Sequence, residues 1–188
     1  MNKAPKLYNP YMADLAIGEM QDGLVSALPW LDVAFGKAER LVKERNGRRY
    51  YTPNIHRDGN EYVSLLPDSD IGNFCFFWID DPQEITAEPG QRAAFSVQCS
   101  VIFWMDMRTI GNYAGYRNKE EVKSQILHAL NGGFGMRYGN YSVTRCHELA
   151  ENIYRGFTLD EVDNQFLMQP FCGFRFDGTL TYKQPCYD

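Results

Sequence analysis

The stretch AAFSVQCSVIFWMDM, residues 93–107, decides how the rest of the chain is read. Ala93, Phe95, Val97, Cys99, Val101, Phe103, Met105 and Met107 recur at every second position, and Ala94, Ser96, Gln98 and Ser100 between them are small or polar. Strict period two predicts a β-strand with one face buried. At about 3.4 Å per residue the strand spans roughly 45–50 Å, far beyond the usual 5–6 residues. Ile102 and Trp104 break the polar set on its second face, so something must cover that face from there on.

Outward from this strand, turn chemistry divides the sequence. Asn9-Pro10 reads as a helix start, and Met12, Leu15, Ala16, Met20, Leu24 and Leu28 continue at spacings of three and four, predicting a helix over about 10–28 that ends before Pro29. LDVAFGKAERLVKE, then Asn46-Gly47, then RRYYTPNI reads as a hairpin, with Gly36 marking a bulge. NFCFFWIDDP is apolar on both faces, an interior strand closed by Pro82. NKEEVKSQILHALNGG is a helix: Asn118 and Glu121 stand in capping-box register, Val122, Ile126, Ala129 and Leu130 form the buried stripe, and Gly132 or Gly133 ends it. SVTRCHELAENIY reads as a short helix and QFLMQPFCGFRFDGTLTY as one or two closing strands. The expected class is α+β: a single domain over 1–188 with an insertion at about 132–168, and a mostly antiparallel sheet with a long strand, a hairpin and helices on one face.

Composition narrows function. A net charge of −5 speaks against gripping a phosphate backbone. Neither a secretion signal nor a membrane span is visible. Twelve Phe, twelve Tyr and three Trp point to a β-rich core or to protein contacts. Five scattered cysteines, an odd number without C-x-x-C spacing, fit reduced thiols better than disulfides or zinc.

Candidate chemistry is sparse. His56, Asp58 and Glu61 form the one metal-like cluster, short of ligands and set among turns. Cys146-His147 pairs a thiol with a base, but adjacent helical residues diverge by about 100°. Asp80-Asp81 reads as a strand end, and GGFGMRYG lacks both the spacing and the context of a phosphate loop. Lys43, Arg45, Arg48 and Arg49, flanked by Tyr50 and Tyr51, form a basic knot at the hairpin tip, open to nucleic acid, solvent or another subunit.

LDVAFGKAERLVKERNGRRYYTPNI, GNFCFFWIDDPQEI, CSVIFWMDM and NKEEVKSQILHAL resemble segments of uncharacterised prophage-encoded proteins. Their order over about 30–130 resembles that of phage tail terminator and tail-completion proteins, in which an N-terminal helix precedes a hairpin, a long strand and a helix laid across the sheet. The resemblance implies a non-enzymatic virion assembly protein without catalytic, metal or cofactor residues. It implies a homo-oligomeric ring, usually hexameric, that meets tail-tube or neck proteins, lets DNA pass without specific binding and has no membrane association. The implied location is the host cytoplasm during assembly, then the virion. Arg48, Arg49, Tyr50, Ile102 and Trp104 are the expected interface residues, with Ile102 and Trp104 covered either by a neighbouring subunit or by the 118–131 helix. Two other classes stay open: a small metal- or cysteine-dependent enzyme using His56, Asp58 and Glu61 or Cys146, and a ligand-binding module with an aromatic pocket of Phe74, Phe76 and Trp78.

Overall fold

The alternating stretch is a strand, and its long partner lies in the same chain. The computed structural model describes residues 3–57, 61–110, 119–132, 135–160 and 162–184. The chain folds as α1 (Ala13–Ala27), β1 (Val33–Lys37), β2 (Glu39–Arg45), β3 (Arg48–Arg57), β4 (Glu61–Ser64), β5 (Phe74–Ile79), β6 (Glu84–Thr86), β7 (Ala94–Asp106), α2 (Lys119–Asn131), β8 (Gly139–His147), α3 (Ala150–Ile153) and β9 (Phe171–Lys183). β7 and β9 pair antiparallel over their whole lengths, from Ala94 opposite Lys183 to Asp106 opposite Phe171. The main sheet runs β1-β5-β7-β9-β8, with β6 also on β7, and β2-β3-β4 form a second sheet. β1 and β5 are parallel and the other pairs antiparallel, which makes the fold α+β. The register of β1 slips between Ala34 and Lys37, at the bulge expected of Gly36, but β1 lies parallel to β5 in the main sheet, and of the stretch read as one hairpin strand only β2 pairs with β3.

Each face of the sheet has its own core. Val97, Cys99, Val101, Phe103 and Met105 meet Phe174, Phe176 and Leu180 on one face, beneath Ile17, Met20 and Leu24 of α1 and Val122, Ile126 and Leu130 of α2. The other face changes character along its length. Ser96, Gln98 and Ser100 stand opposite Thr181, Thr179 and Asp177, whereas Ile102 and Trp104 stand opposite Arg175 and Gly173. Cover begins where the side chains turn apolar. Phe35, Ile55, Leu65, Ile153 and Tyr154 pack there with Phe74, Phe76, Ile102 and Trp104.

Several expectations are corrected. Ile102 is 0% and Trp104 3% exposed within the single chain, so neither offers a surface to another subunit. Their cover is α3 and the second sheet, because α2 lies across the opposite face. Trp104 meets Tyr154 edge to face at 6.0 Å. Residues 142–147, read as the first half of a helix over SVTRCHELAENIY, belong instead to β8, held to β9 from Gly139 opposite Tyr182 to His147 opposite Arg175, and only Ala150–Ile153 of that reading is helical. Residues 132–168 thus supply an edge strand of the main sheet and, through α3, part of the second core. α1 starts at Ala13 behind Met12 (φ 51) without a side-chain cap, because the preceding segment is drawn along β1, where the Ala34 N–H donates to the Lys3 carbonyl at 2.7 Å. The α2 stripe is buried as predicted and the Gly132 N–H donates to the His128 carbonyl at 2.8 Å, while Asn118 and Gly133 lie outside the described residues.

Candidate functional site

Three features combine named side chains with accessible surface or convergent polarity. The first is the arm made by β2 and β3. Asn46 (φ 53) and Gly47 (φ 72) both adopt positive φ, the backbone that joins two right-twisted strands in a two-residue loop. The arm's base is fixed where the Tyr51 N–H donates to Thr158 Oγ1 at 3.0 Å and the Thr158 N–H donates to the Tyr51 carbonyl at 2.8 Å. Beyond that anchor every residue from 42 to 49 is exposed, so the ribbon projects about 17 Å at strand rise. Arg48 and Arg49 are exposed near its tip and Tyr50 is half-buried, which places this predicted trio on one accessible element. Residues sharing a face follow from the register. Lys43 opposite Tyr50 and Arg45 opposite Arg48 line one side, while Glu44 opposite Arg49 and Val42 opposite Tyr51 line the other. Arg40 lies over the Tyr51 ring at 5.1 Å.

The second feature is a groove of about 770 Å³ between the 5–10 segment, α1, β1 and β3. Gln21 ties its walls together, donating through Nε2 to the Pro5 carbonyl at 2.9 Å and the Ala34 carbonyl at 2.7 Å. Glu19 fixes another wall, accepting the Arg137 and Tyr138 N–H groups at 3.0 Å each. Lys6 pairs with Asp22 at the rim. Phe35 and Ile55 supply the apolar floor and His56 stands beside them.

The third is a polar hub where the second face changes character. Arg175, 1% exposed, donates through Nε to Asp177 Oδ1 at 2.7 Å and through Nη1 to the Arg155 carbonyl at 3.3 Å, with Asp80 Oδ2 at 3.7 Å from Nη2. Ser100 Oγ also donates to Asp177 Oδ1 at 2.7 Å. Asp177 Oδ2 meets His147 Nε2 at 2.9 Å and Arg155 Nη2 at 3.6 Å. Burial alone raises a carboxylate pKa. Hydrogen bonds from Arg175 and Ser100, the guanidinium charge and the His147 bond overcome that and hold Asp177 at about 2. Ser, His and Asp meet here without a nucleophile relay: the hydroxyl and the imidazole both address the carboxylate, and Ser100 is 2% exposed. In this geometry the hub cross-links β7, β8, β9 and the Arg155 turn.

The remaining sequence candidates disperse. His56 meets Tyr62 edge to face at 5.2 Å, while Asp58 and the Glu61 side chain lie outside the described residues. Cys146 sits on β8, where neighbours project to opposite faces, and the His147 Nε2 is engaged by Asp177. Lost solvation and Glu148 push the Cys146 thiol up to about 11, which keeps it protonated at neutral pH. Phe74 and Phe76 are fully buried core residues, and Trp78 packs on Phe157 at 4.9 Å while its Nε1 donates to Asp80 at 2.6 Å, so the expected aromatic pocket is filled by the protein itself. Among the described residues, no three His, Cys, Asp or Glu side chains converge as a metal set, and no helix is long and apolar enough to cross a membrane. Sequence reasoning missed the hub. Its signal was present in FRFDG, where two charges at i and i+2 interrupt an apolar strand on one face.

No protein-family model matches the chain, and comparison with curated proteins finds no match.

Proposed function

We propose that the chain is a non-enzymatic subunit of a homomeric assembly, of the tail terminator or head–tail joining kind that its segments resemble. The observation that carries this reading is the β2–β3 arm, a solvent-exposed basic ribbon standing off a body whose two cores are covered within the chain. A two-stranded ribbon is marginal alone, and this one holds few apolar contacts beyond Thr52, so a docked position on a neighbour supplies the missing stabilisation. In this role the subunits form a ring, with hexamer as the expected size, that caps or joins a tail tube. The chain's net charge of −5 favours passage of DNA over its capture. Arg48, Arg49 and Tyr50 are interface residues in this reading, and Ile102 and Trp104 are core. Assembly takes place in the host cytoplasm and ends in the virion.

Native mass spectrometry and negative-stain microscopy test the proposal, with the protein alone and with tail-tube protein. Closed rings of one size support it. A strict monomer under both conditions refutes it.

A second reading rests on the groove. Its volume lies within the range of about 300–1,000 Å³ that holds small ligands, and it combines an apolar floor with polar walls. Saturable quenching of tyrosine and tryptophan fluorescence by one compound of a metabolite library, abolished by Leu15→Glu at the half-buried groove wall, would favour binding over assembly.

A further inference from the structure

The arm carries charge of one sign, and the chain carries its complement elsewhere. Arg40, Lys43, Arg45, Arg48 and Arg49 face only Glu39 and Glu44 within residues 39–50. Between Arg57 and Arg92, by contrast, the sequence holds eight carboxylates and no Lys or Arg. The structure gathers part of that acidic run into one feature. After β5 the chain leaves the sheet at Asp81, returns as β6 against the start of β7, and turns through Gly90, with every residue from 81 to 92 exposed. Asp81, Glu84 and Glu88 sit on this tab with Ile85, a residue 63% exposed. Among the described residues, none of these three carboxylates is in an ion pair, and neither are Lys43, Arg45, Arg48 or Arg49.

One face of the arm is unbalanced by itself. Arg45 lies directly opposite Arg48, with Lys43 next along the strand and Tyr50 opposite it, while the acid of β2 on that side, Glu39, stands at the arm's base, six residues before Arg45. Like charges across a strand pair are destabilising, so this face is relieved by an incoming anionic surface. Phosphate is the weaker candidate because the rest of the chain repels it. A carboxylate-rich partner is already at hand in every copy.

We infer that the Lys43–Arg45–Arg48 face of the arm docks on the Asp81–Glu84–Glu88 tab of a second copy of this chain. Tyr50 supplies an amphipathic contact at the arm's edge and Ile85 an apolar anchor on the tab. Arm and tab are different patches, so the contact is heterologous and propagates from subunit to subunit, which closes rings when the rotation permits. The inference rests on the assembly proposed above and names the surfaces that make it. Exposed ion pairs are individually weak and salt-sensitive, so the contact depends on several pairs and on ring closure.

The test is sedimentation velocity of the full chain and two charge-reversed variants. The arm variant is Lys43→Glu, Arg45→Glu and Arg48→Glu; the tab variant is Asp81→Lys, Glu84→Lys and Glu88→Lys. Wild type is expected to assemble at about 50 mM salt and to dissociate at about 500 mM. Each variant alone is expected to associate at least about tenfold more weakly. An equimolar mixture of the two is expected to assemble again, because each variant's arm then opposes the other's tab. All substituted positions are exposed, and recovery in the mixture excludes misfolding as the cause of dissociation. Wild type that assembles while both variants do so equally, or a mixture that stays dissociated, overturns the arm–tab contact and leaves the assembly reading standing. Wild type that stays monomeric at low salt, even with tail-tube protein, overturns both. Retardation of duplex DNA by wild type, lost in the arm variant while assembly is unchanged, overturns the contact in favour of nucleic acid.

Discussion

Replacing Asp177 with Asn tests how the second face of the sheet is held. The substitution keeps size and one acceptor oxygen but removes the charge that Arg175 faces at 2.7 Å. Stranding a buried charge by removing its partner destabilises by about 3–5 kcal/mol. Arg175 is 1% exposed but retains the Arg155 carbonyl at 3.3 Å and Asp80 at 3.7 Å, which places the expected loss near about 3 kcal/mol. With a urea dependence of about 2 kcal/mol/M, the unfolding midpoint falls by about 1.5 M, and Trp78 and Trp104 near the hub report it by fluorescence. Arg175→Met on the Asn background removes the stranded charge, so the double variant is expected to recover about 2 kcal/mol relative to the sum of the singles. Acid gives an independent reading. The folded carboxyl titrates at about 2, below its ordinary value of 3.8, so its contribution is present above about pH 4 and lost as pH falls from 4 towards 2. Allowing for solvent screening, that contribution is about 1–2 kcal/mol, and the gap between wild type and Asp177→Asn narrows across that window. A midpoint shift below about 0.3 M at pH 7, or single effects that add within about 0.5 kcal/mol, would refute the reasoning.

Other perturbations follow from close contacts. A Cβ at Gly173 would lie 2.5 Å from Trp104 Cε3 and 2.7 Å from the Phe103 carbonyl oxygen, so Gly173→Ala is expected to destabilise by at least about 2 kcal/mol, read as a lower Tm. Among the described residues the buried Trp104 Nε1 meets no hydrogen-bond partner, whereas Trp78 Nε1 donates to Asp80. Trp78→Phe, which gives up a bond to a carboxylate, is therefore expected to cost about 1.5–3 kcal/mol in the same urea titration, whereas any loss in Trp104→Phe reads the cavity left beside Gly173 and not a hydrogen bond. Cys146 is exposed while Cys75, Cys99 and Cys172 are buried, so peptide mapping after brief alkylation should find Cys146 modified first among these four. Its rate should climb with pH towards about 11, and the buried three should react only on unfolding.

Local patterns were legible in the sequence and long-range pairings were not. β7 announced itself through alternation, the arm through Asn46-Gly47, and α2 through Val122, Ile126 and Leu130, because each signal is written within a dozen residues. The length of β7 was legible too, but its explanation was not. Period two cannot show that a strand 77 residues away, at the Ser100–Asp177 contact, runs beside it, so a neighbouring molecule was invoked where β9 suffices. β8 was misread because it is an edge strand on which Tyr141 alone is buried, leaving too little alternation to outweigh helix-compatible residues at 148–154. Among the candidate site residues, Arg48, Arg49 and Tyr50 were accessible from turn chemistry and charge. Ile102 and Trp104 were correctly marked as needing cover, yet the sequence holds no sign that Tyr154 and Ile153 provide it.

The pairing of β7 with β9 also sets an order of events during synthesis. At about 5–20 residues per second, the 77 residues that separate Ser100 from Asp177 take roughly 4–15 s to emerge, and through that interval one edge of a thirteen-residue apolar strand is bare. Such an edge recruits other nascent chains. Yield of the native protein should therefore respond to translation speed and to holdase chaperones more than its final stability alone would predict.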